Sequence, residues 1–245
     1  MCGRYANSAS TAELIDEFAV QDAFDDDLPP SWNIAPTDPV RILTYRQSHH
    51  ADDAGPVRQL RTVRWGLVPS WSRDTKGAAR MINARSETIT DKPAFRAAAG
   101  RRRALIPALG YYEWQKTTGR ATKIPYFLHG QSDHLLAFAG LYEIWPDPTL
   151  PDDHPNKWLW TSTIVTRPAT DALGHIHDRC PVLVPPDLFQ DWLDCTDGEP
   201  STAQALLNAI PEPELVPRVV AADVGNVRNN GPQLIEPAGG PQPQP

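Results

Sequence analysis

Alternating apolar and polar positions, and short unbroken apolar runs, dominate this chain, while helix-period stripes are few. The pattern predicts strands at Val40–Tyr45, Leu60–Leu67, Ala104–Leu109, Tyr111–Trp114, Pro125–His129, Leu135–Ile144 and Leu159–Thr166. Leu141-Tyr142-Glu143-Ile144-Trp145 adds aromatic enrichment to its alternation. Shorter β runs are expected at Cys180–Val184 and Leu215–Val220. Ser10-Thr11-Ala12-Glu13 reads as a capping box opening a helix whose stripe is Leu14, Ile15 and Phe18. Further helices are expected at Ala94–Ala99, Thr170–Leu173, Pro185–Trp192 and Ser201–Ile210. Residues 21–31, 47–57 and 146–157 read as loops, and 236–245, rich in Pro and Gly, as a disordered tail. Strands outnumber helices, no regular β-α alternation or repeat is visible, and no composition shift marks a boundary. The expectation is one α+β domain over residues 1–235, built on mainly antiparallel sheet as a distorted barrel or paired sheets, with a few peripheral helices.

Composition refines this picture. With 245 residues and 40% hydrophobic content the chain can bury a sizeable core, and its 26 prolines fit a loop-rich fold better than a helical bundle. No apolar run approaches the roughly 20 residues that span a bilayer. The N-terminus shows no signal-peptide pattern, and three cysteines are too few for a disulfide scaffold, so a cytoplasmic protein is expected. The net charge of −7 is a poor global signature for a nucleic-acid binder. The acids cluster, however, at Asp22 and Asp25–Asp27, at Asp52 and Asp53, and at Asp147, Asp152 and Asp153, all in stretches that read as surface loops. Arginines cluster too, at Arg61, Arg64, Arg73, Arg80 and Arg85, then at Arg96 and Arg101–Arg103, which allows a local basic face.

The chain begins Met1-Cys2-Gly3-Arg4. Removal of Met1, expected before so small a side chain, would leave an α-amine and a thiol on adjacent carbons. The amine titrates near 7.7–8.0 and the thiol near about 8.5. Such a pair can condense with an aldehyde and close a thiazolidine ring; taken alone, a buried inert cysteine is the commoner outcome. Glu113 sits in Gly110-Tyr111-Tyr112-Glu113-Trp114, an aromatic setting that raises a carboxyl pKa and suits it to acid catalysis. His177, in Ile176-His177-Asp178-Arg179-Cys180, is a candidate proton shuttle, and Asn83 stands in Met81-Ile82-Asn83-Ala84-Arg85. Read singly, these are equally a paired strand-edge carboxylate, a structural histidine and a turn residue. The spacing of His175, His177, Cys180 and Cys195 matches no recurring zinc pattern, and no Gly-rich phosphate loop is present.

Taken in order, Met1-Cys2-Gly3-Arg4-Tyr5-Ala6, Trp32-Asn33-Ile34-Ala35-Pro36, Trp65-Gly66-Leu67-Val68-Pro69-Ser70-Trp71, Ile82-Asn83-Ala84-Arg85-Ser86-Glu87-Thr88, Tyr112-Glu113-Trp114, Ile176-His177-Asp178-Arg179 and Val224-Gly225-Asn226-Val227 strongly resemble the SRAP (SOS-response-associated peptidase) family, whose bacterial members are abasic-site processing proteins. The resemblance runs from residue 2 to about 235. It implies a DNA-damage response protein that captures abasic sites in single-stranded DNA as a thiazolidine crosslink on Cys2, with crosslink reversal and weak lyase activity. It implies that Asn83 holds the sugar and the cysteine backbone, that Glu113 assists Schiff-base formation and dehydration, that His177 acts on the sugar oxygen, and that Arg4 and Arg85 grip phosphates. Trp71, in the Pro69-Ser70-Trp71 loop, is a candidate for base stacking. No cofactor or metal is implied; the expected partners are single-stranded DNA and replication-fork proteins, the expected state is a monomer that joins the nucleoid during damage, and no membrane association is expected. The competing reading is an N-terminal-nucleophile cysteine peptidase or amidohydrolase. Cys180 departs from the family pattern, where methionine or arginine is expected, and packing is its simplest role.

Overall fold

The computed structural model describes residues 2–24, 27–48, 55–117, 119, 122–132 and 134–239. Its strands are β1 (Tyr5–Asn7), β2 (Asp22–Phe24), β3 (Ser31–Ile34), β4 (Pro39–Gln47), β5 (Pro56–Trp65), β6 (Asn83–Arg85), β7 (Arg103–Ala108), β8 (Gly110–Gln115), β9 (Ile124–His129), β10 (Leu136–Pro146), β11 (Trp158–Pro168), β12 (Arg179–Pro181) and β13 (Val216–Val219). Its helices are α1 (Thr11–Phe18), α2 (Pro93–Arg101), α3 (Asp171–Gly174), α4 (Phe189–Leu193) and α5 (Pro200–Ala209). Antiparallel pairing links β5 to β4, β4 to β7, β7 to β10 and β10 to β11. A parallel contact, Thr161 with Arg64 and Ser162 with Trp65, then joins β11 back to β5 and closes a barrel. A second sheet, in the order β13-β9-β8-β1-β3, covers it. The domain is therefore α+β on mainly antiparallel sheet, with three parallel pairings around β5 and β11.

Side chains alternate across a strand, so a strand buried on both faces feeds two cores. One face carries Val40, Ile42, Val63, Trp65, Ile106, Phe138 and Ile164, and meets Tyr5, Tyr111 and Leu128 of the second sheet. The other carries Leu43, Leu60, Leu105, Ala139, Leu141 and Val165, and meets Leu14 and Phe18 of α1, Ala98 and Ala99 of α2, Trp192 of α4 and Leu207 of α5. β7 is buried at every position for this reason. The capping box of α1 is present: Glu13 N–H bonds the Ser10 hydroxyl, and the Glu13 carboxylate accepts from Ser10 N–H.

Several sequence expectations are corrected here. The stretch 21–31 contains β2, and Asp22 is buried rather than in a surface loop, its Oδ2 accepting from Gln59 and Ser48. β5 begins at Pro56, ahead of the expected Leu60. Pro186–Leu188 forms a 3₁₀ turn before α4, so the helix expected from Pro185 is shorter. Arg103 leaves the proposed basic face: it is 1% exposed, its Nε donates to Trp192 O at 2.6 Å and its other nitrogens to Ala99 O and Asp194 O. Pro237 bridges Val220 and Ala238 N–H bonds Val219 O, while residues 240–245 of the expected tail, like Asp25, Asp26, Asp52 and Asp53, lie outside the described residues. Among the described residues, no helix is long and apolar enough to cross a membrane.

Gly110 opens β8 where two strands approach closely: an added Cβ would lie 2.5 Å from both Leu128 O and the Phe127 ring. Gly110→Ala is expected to destabilise the protein by about 2–3 kcal/mol through overpacking, read as a lower midpoint in urea unfolding at unchanged slope.

Candidate active site

Cys2 lies just ahead of β1, in the apolar cluster between the barrel strands and the second sheet. β1 pairs with β8 through Tyr5 with Tyr111 and Ala6 with Gly110, and Tyr112 N–H bonds Arg4 O at 2.9 Å. Continuing that register sets Gly3 against Glu113 and brings Cys2 alongside it. Asn83 opens β6, which runs parallel to β11 with Asn83 level with Ile164. Its Nδ2 donates to Cys2 O at 2.8 Å, and its Oδ1 is buried with no partner among the described residues. His177 precedes β12, and its Nε2 lies 3.9 Å from Glu113 Oε2. Three separate segments thus bring Asn83, Glu113 and His177 around the Cys2 backbone and thiol.

Burial sets the protonation of this group. Glu113 is 4% exposed, and desolvation raises its carboxyl to about 7. Cys2 is fully buried; desolvation, reinforced by the Glu113 carboxylate, pushes its thiol well above the usual cysteine range. His177 is lowered, chiefly by desolvation. The cluster therefore holds a thiol, a carboxyl poised near neutrality and a neutral imidazole, a set suited to moving protons during addition to a carbonyl. Tyr111 is also buried here, and burial followed by the charges of Cys180, Cys2 and Glu113 raises its phenol. The sequence marked Tyr111 only as part of the aromatic setting of Glu113; its pairing with Tyr5, which turns it toward Cys2, has no local signal. Cys180 is 4% exposed and packs in the same apolar cluster as Cys2.

The expected DNA contacts separate. Arg4 is engaged internally: NH1 donates to Asn33 Oδ1 and to Val224 O at 3.0 Å, NH2 donates to Gly225 O at 3.2 Å, and the guanidinium sits 5.8 Å from the Trp114 ring centroid. Asn33 continues the clamp through Nδ2 to Val224 O, Asn226 O and Asn229 O. Arg4 thus joins the N-terminal segment to the chain near its other end. Arg85 is exposed, and Trp71 is 66% exposed. Arg73, Lys76 and Arg80 are exposed on the same connection between β5 and β6.

A family model described as SOS response associated peptidase (SRAP) matches residues 1–227. The chain is 35% identical over 237 residues to the abasic site processing protein YoqW of Bacillus subtilis, covering 96% of this chain and 99% of that one. It is 30% identical over 238 residues to the abasic site processing protein HMCES of Rattus norvegicus, covering 85% of this chain and 65% of that one. A crystal structure of a Bacteroides thetaiotaomicron protein has the same fold, with a TM-score of 0.75 at 22% identity over 97% of this chain and 100% of that one.

A raised carboxyl has a defined linkage to stability. Glu113 binds a proton more tightly folded than unfolded, so its stabilising contribution is full below the unfolded pKa and is lost as pH rises through about 7. Glu113→Gln, which cannot ionise, should therefore gain on the wild type between about pH 4.3 and 7, by on the order of 3–4 kcal/mol above that window. Thermal unfolding across pH measures this difference; a constant offset would show that Glu113 titrates normally.

Proposed function

The chain belongs to the SOS response associated peptidase (SRAP) family, and from that premise we propose that it processes abasic sites in single-stranded DNA by trapping them covalently on Cys2. The observation that carries this reading is the convergence of Asn83, Glu113 and His177 on a fully buried Cys2. Once Met1 is removed, the Cys2 α-amine adds to the C1′ aldehyde of the ring-opened deoxyribose. The resulting carbinolamine loses water to give a Schiff base. The thiol then adds to the C=N carbon, its proton passing by way of the base to the ring nitrogen, and a thiazolidine closes with one water lost overall.

Each side chain has a role in this sequence. Glu113, near half-protonated at neutral pH, gives a proton to the departing hydroxyl and as carboxylate takes the thiol proton. The thiol needs that base, because burial holds it protonated. Asn83 anchors the Cys2 carbonyl and offers its buried Oδ1 to a sugar hydroxyl. His177 acts on the ring oxygen, opening the sugar for capture and closing it during release. Arg85 and the exposed Trp71 hold the strand, through a phosphate and a base face.

Cys2→Ala, and wild-type chain that retains Met1 behind an N-terminal tag, should both lose the heat-stable adduct with abasic single-stranded DNA. Denaturing gels and intact mass read the outcome, and an adduct of wild-type yield in either protein would refute the aminothiol route. Binding to an intact strand tests the surface separately. Trp71→Ala should cost about 1–3 kcal/mol of affinity, and Arg85→Ala should lower the salt slope by about 0.7. An affinity indifferent to both substitutions across a salt series would rule out this face.

A further inference from the structure

Two groups compete for one atom of His177. The backbone N–H of Arg179 points at Nδ1 from 3.1 Å, and Asp178 Oδ1 lies 2.8 Å from the same nitrogen. The amide requires a lone pair on Nδ1, whereas the carboxylate requires a proton there. A neutral imidazole carries one ring proton, so only one contact is a hydrogen bond at a time. If the amide holds Nδ1, the proton sits on Nε2, which faces Glu113 at 3.9 Å. If Asp178 holds it, Nε2 loses its proton or the ring becomes a cation.

The two competitors are anchored very differently. The Asp178 side chain is 87% exposed and turns into water at little cost. The Arg179 side chain is 10% exposed and held by two residues, Glu87 and Thr166. Its NH1 donates to Glu87 Oε1, and its NH2 donates to Glu87 Oε2 at 2.9 Å, to Thr166 O at 2.7 Å and to Thr166 Oγ1 at 3.2 Å. Arg179, before all else, holds the Glu87 carboxyl at about 2, so the pair stays charged through the working range. Glu87 lies in the 3₁₀ turn Ser86–Thr88, directly after the strand that carries Asn83, and so the same pair ties the Asn83 segment to the His177 segment.

We propose that the Glu87–Arg179 pair is a positioning device that fixes the tautomer of His177, aiming its proton from Nε2 toward Glu113 and the sugar oxygen. The charges acting on His177 are Glu113 across the site, Asp178 beside it, Lys123 and the amino terminus. Asp178 opposes the effect of burial on His177, so its influence grows if the Arg179 amide withdraws. The kinetic part of this proposal rests on the Cys2 reading; the tautomer does not.

The test compares wild type, Glu87→Gln, Arg179→Lys and Glu87→Gln/Asp178→Ala, each first shown to be folded by circular dichroism. The ¹⁵N chemical shifts of His177, recorded across pH without DNA, identify which ring nitrogen carries the proton. In wild type, Nδ1 should read as unprotonated at neutral pH and Nε2 as protonated. Glu87→Gln and Arg179→Lys should move the proton toward Nδ1 and raise the pH at which the ring charges. The double variant should return to the wild-type signature, because the competitor is gone. Abasic-strand capture by the two single variants should show its acid limb at higher pH, with a roughly tenfold lower rate near neutrality. Wild-type ¹⁵N shifts in both single variants, or a double variant that stays displaced, would overturn the proposal. Absence of capture by wild type itself would count against the Cys2 reading and leave the ¹⁵N result to decide the tautomer.

Discussion

β11 changes its neighbour partway along its length, and the site forms at that exchange. Beside Thr161 and Ser162 its partner is β5; beside Ile164, Val165 and Thr166 it is β6. Gly66 makes the exchange possible. Its φ of 125° turns the chain away from β11, its N–H still bonds Ser162 O at 2.8 Å, and a Cβ there would lie 2.7 Å from Ala78 O. The chain then runs through the exposed Trp71 loop and returns as β6 with Asn83 at its head. Barrel closure, the placement of Asn83 and the exposure of Trp71 are thus consequences of one backbone departure.

The same closure explains the electrostatics. The second sheet packs on one face of the barrel strands, so the groups between them lose water whatever their polarity. A carboxyl, a thiol and an imidazole then all shift toward their neutral forms, which costs stability and leaves the Glu113 carboxyl, at about 7, able to give and take protons near neutral pH. Asn83 makes the same point without charge, since its amide nitrogen is used on the Cys2 carbonyl while its oxygen stays buried and unpartnered among the described residues. A packed interior keeps such an atom when something else supplies its partner.

Arginine serves two purposes in this molecule. Arg4, Arg41 and Arg103 reach backbone carbonyls far away in sequence: Val224 for Arg4, Ala9 and Leu28 for Arg41, and Trp192 for Arg103. These five-donor side chains hold loops that lack ladder partners. Arg73, Arg80 and Arg85, with Lys76, stay exposed on the stretch of chain that follows Trp71. An overall charge of −7 therefore coexists with four exposed cations between residues 73 and 85, on the stretch of chain that follows Trp71.

The long strands, the capped first helix and the aromatic surroundings of Glu113 were legible in the chain itself, because alternation, a capping box and neighbouring residues are local signals. The order of the motifs pointed to the family for the same reason. β1, β2, β3 and β6 were not legible: each is too short to show a period, and each is a strand only because a partner supplies its hydrogen bonds. Nor could the sequence separate Arg103 from Arg101, or assign Arg4 to the Val224 turn, because those choices depend on carbonyls contributed from elsewhere in the chain. Sequence determined which side chains were available; the tertiary structure decided which of them lose water together, and that loss makes Cys2, Glu113 and His177 a chemical unit.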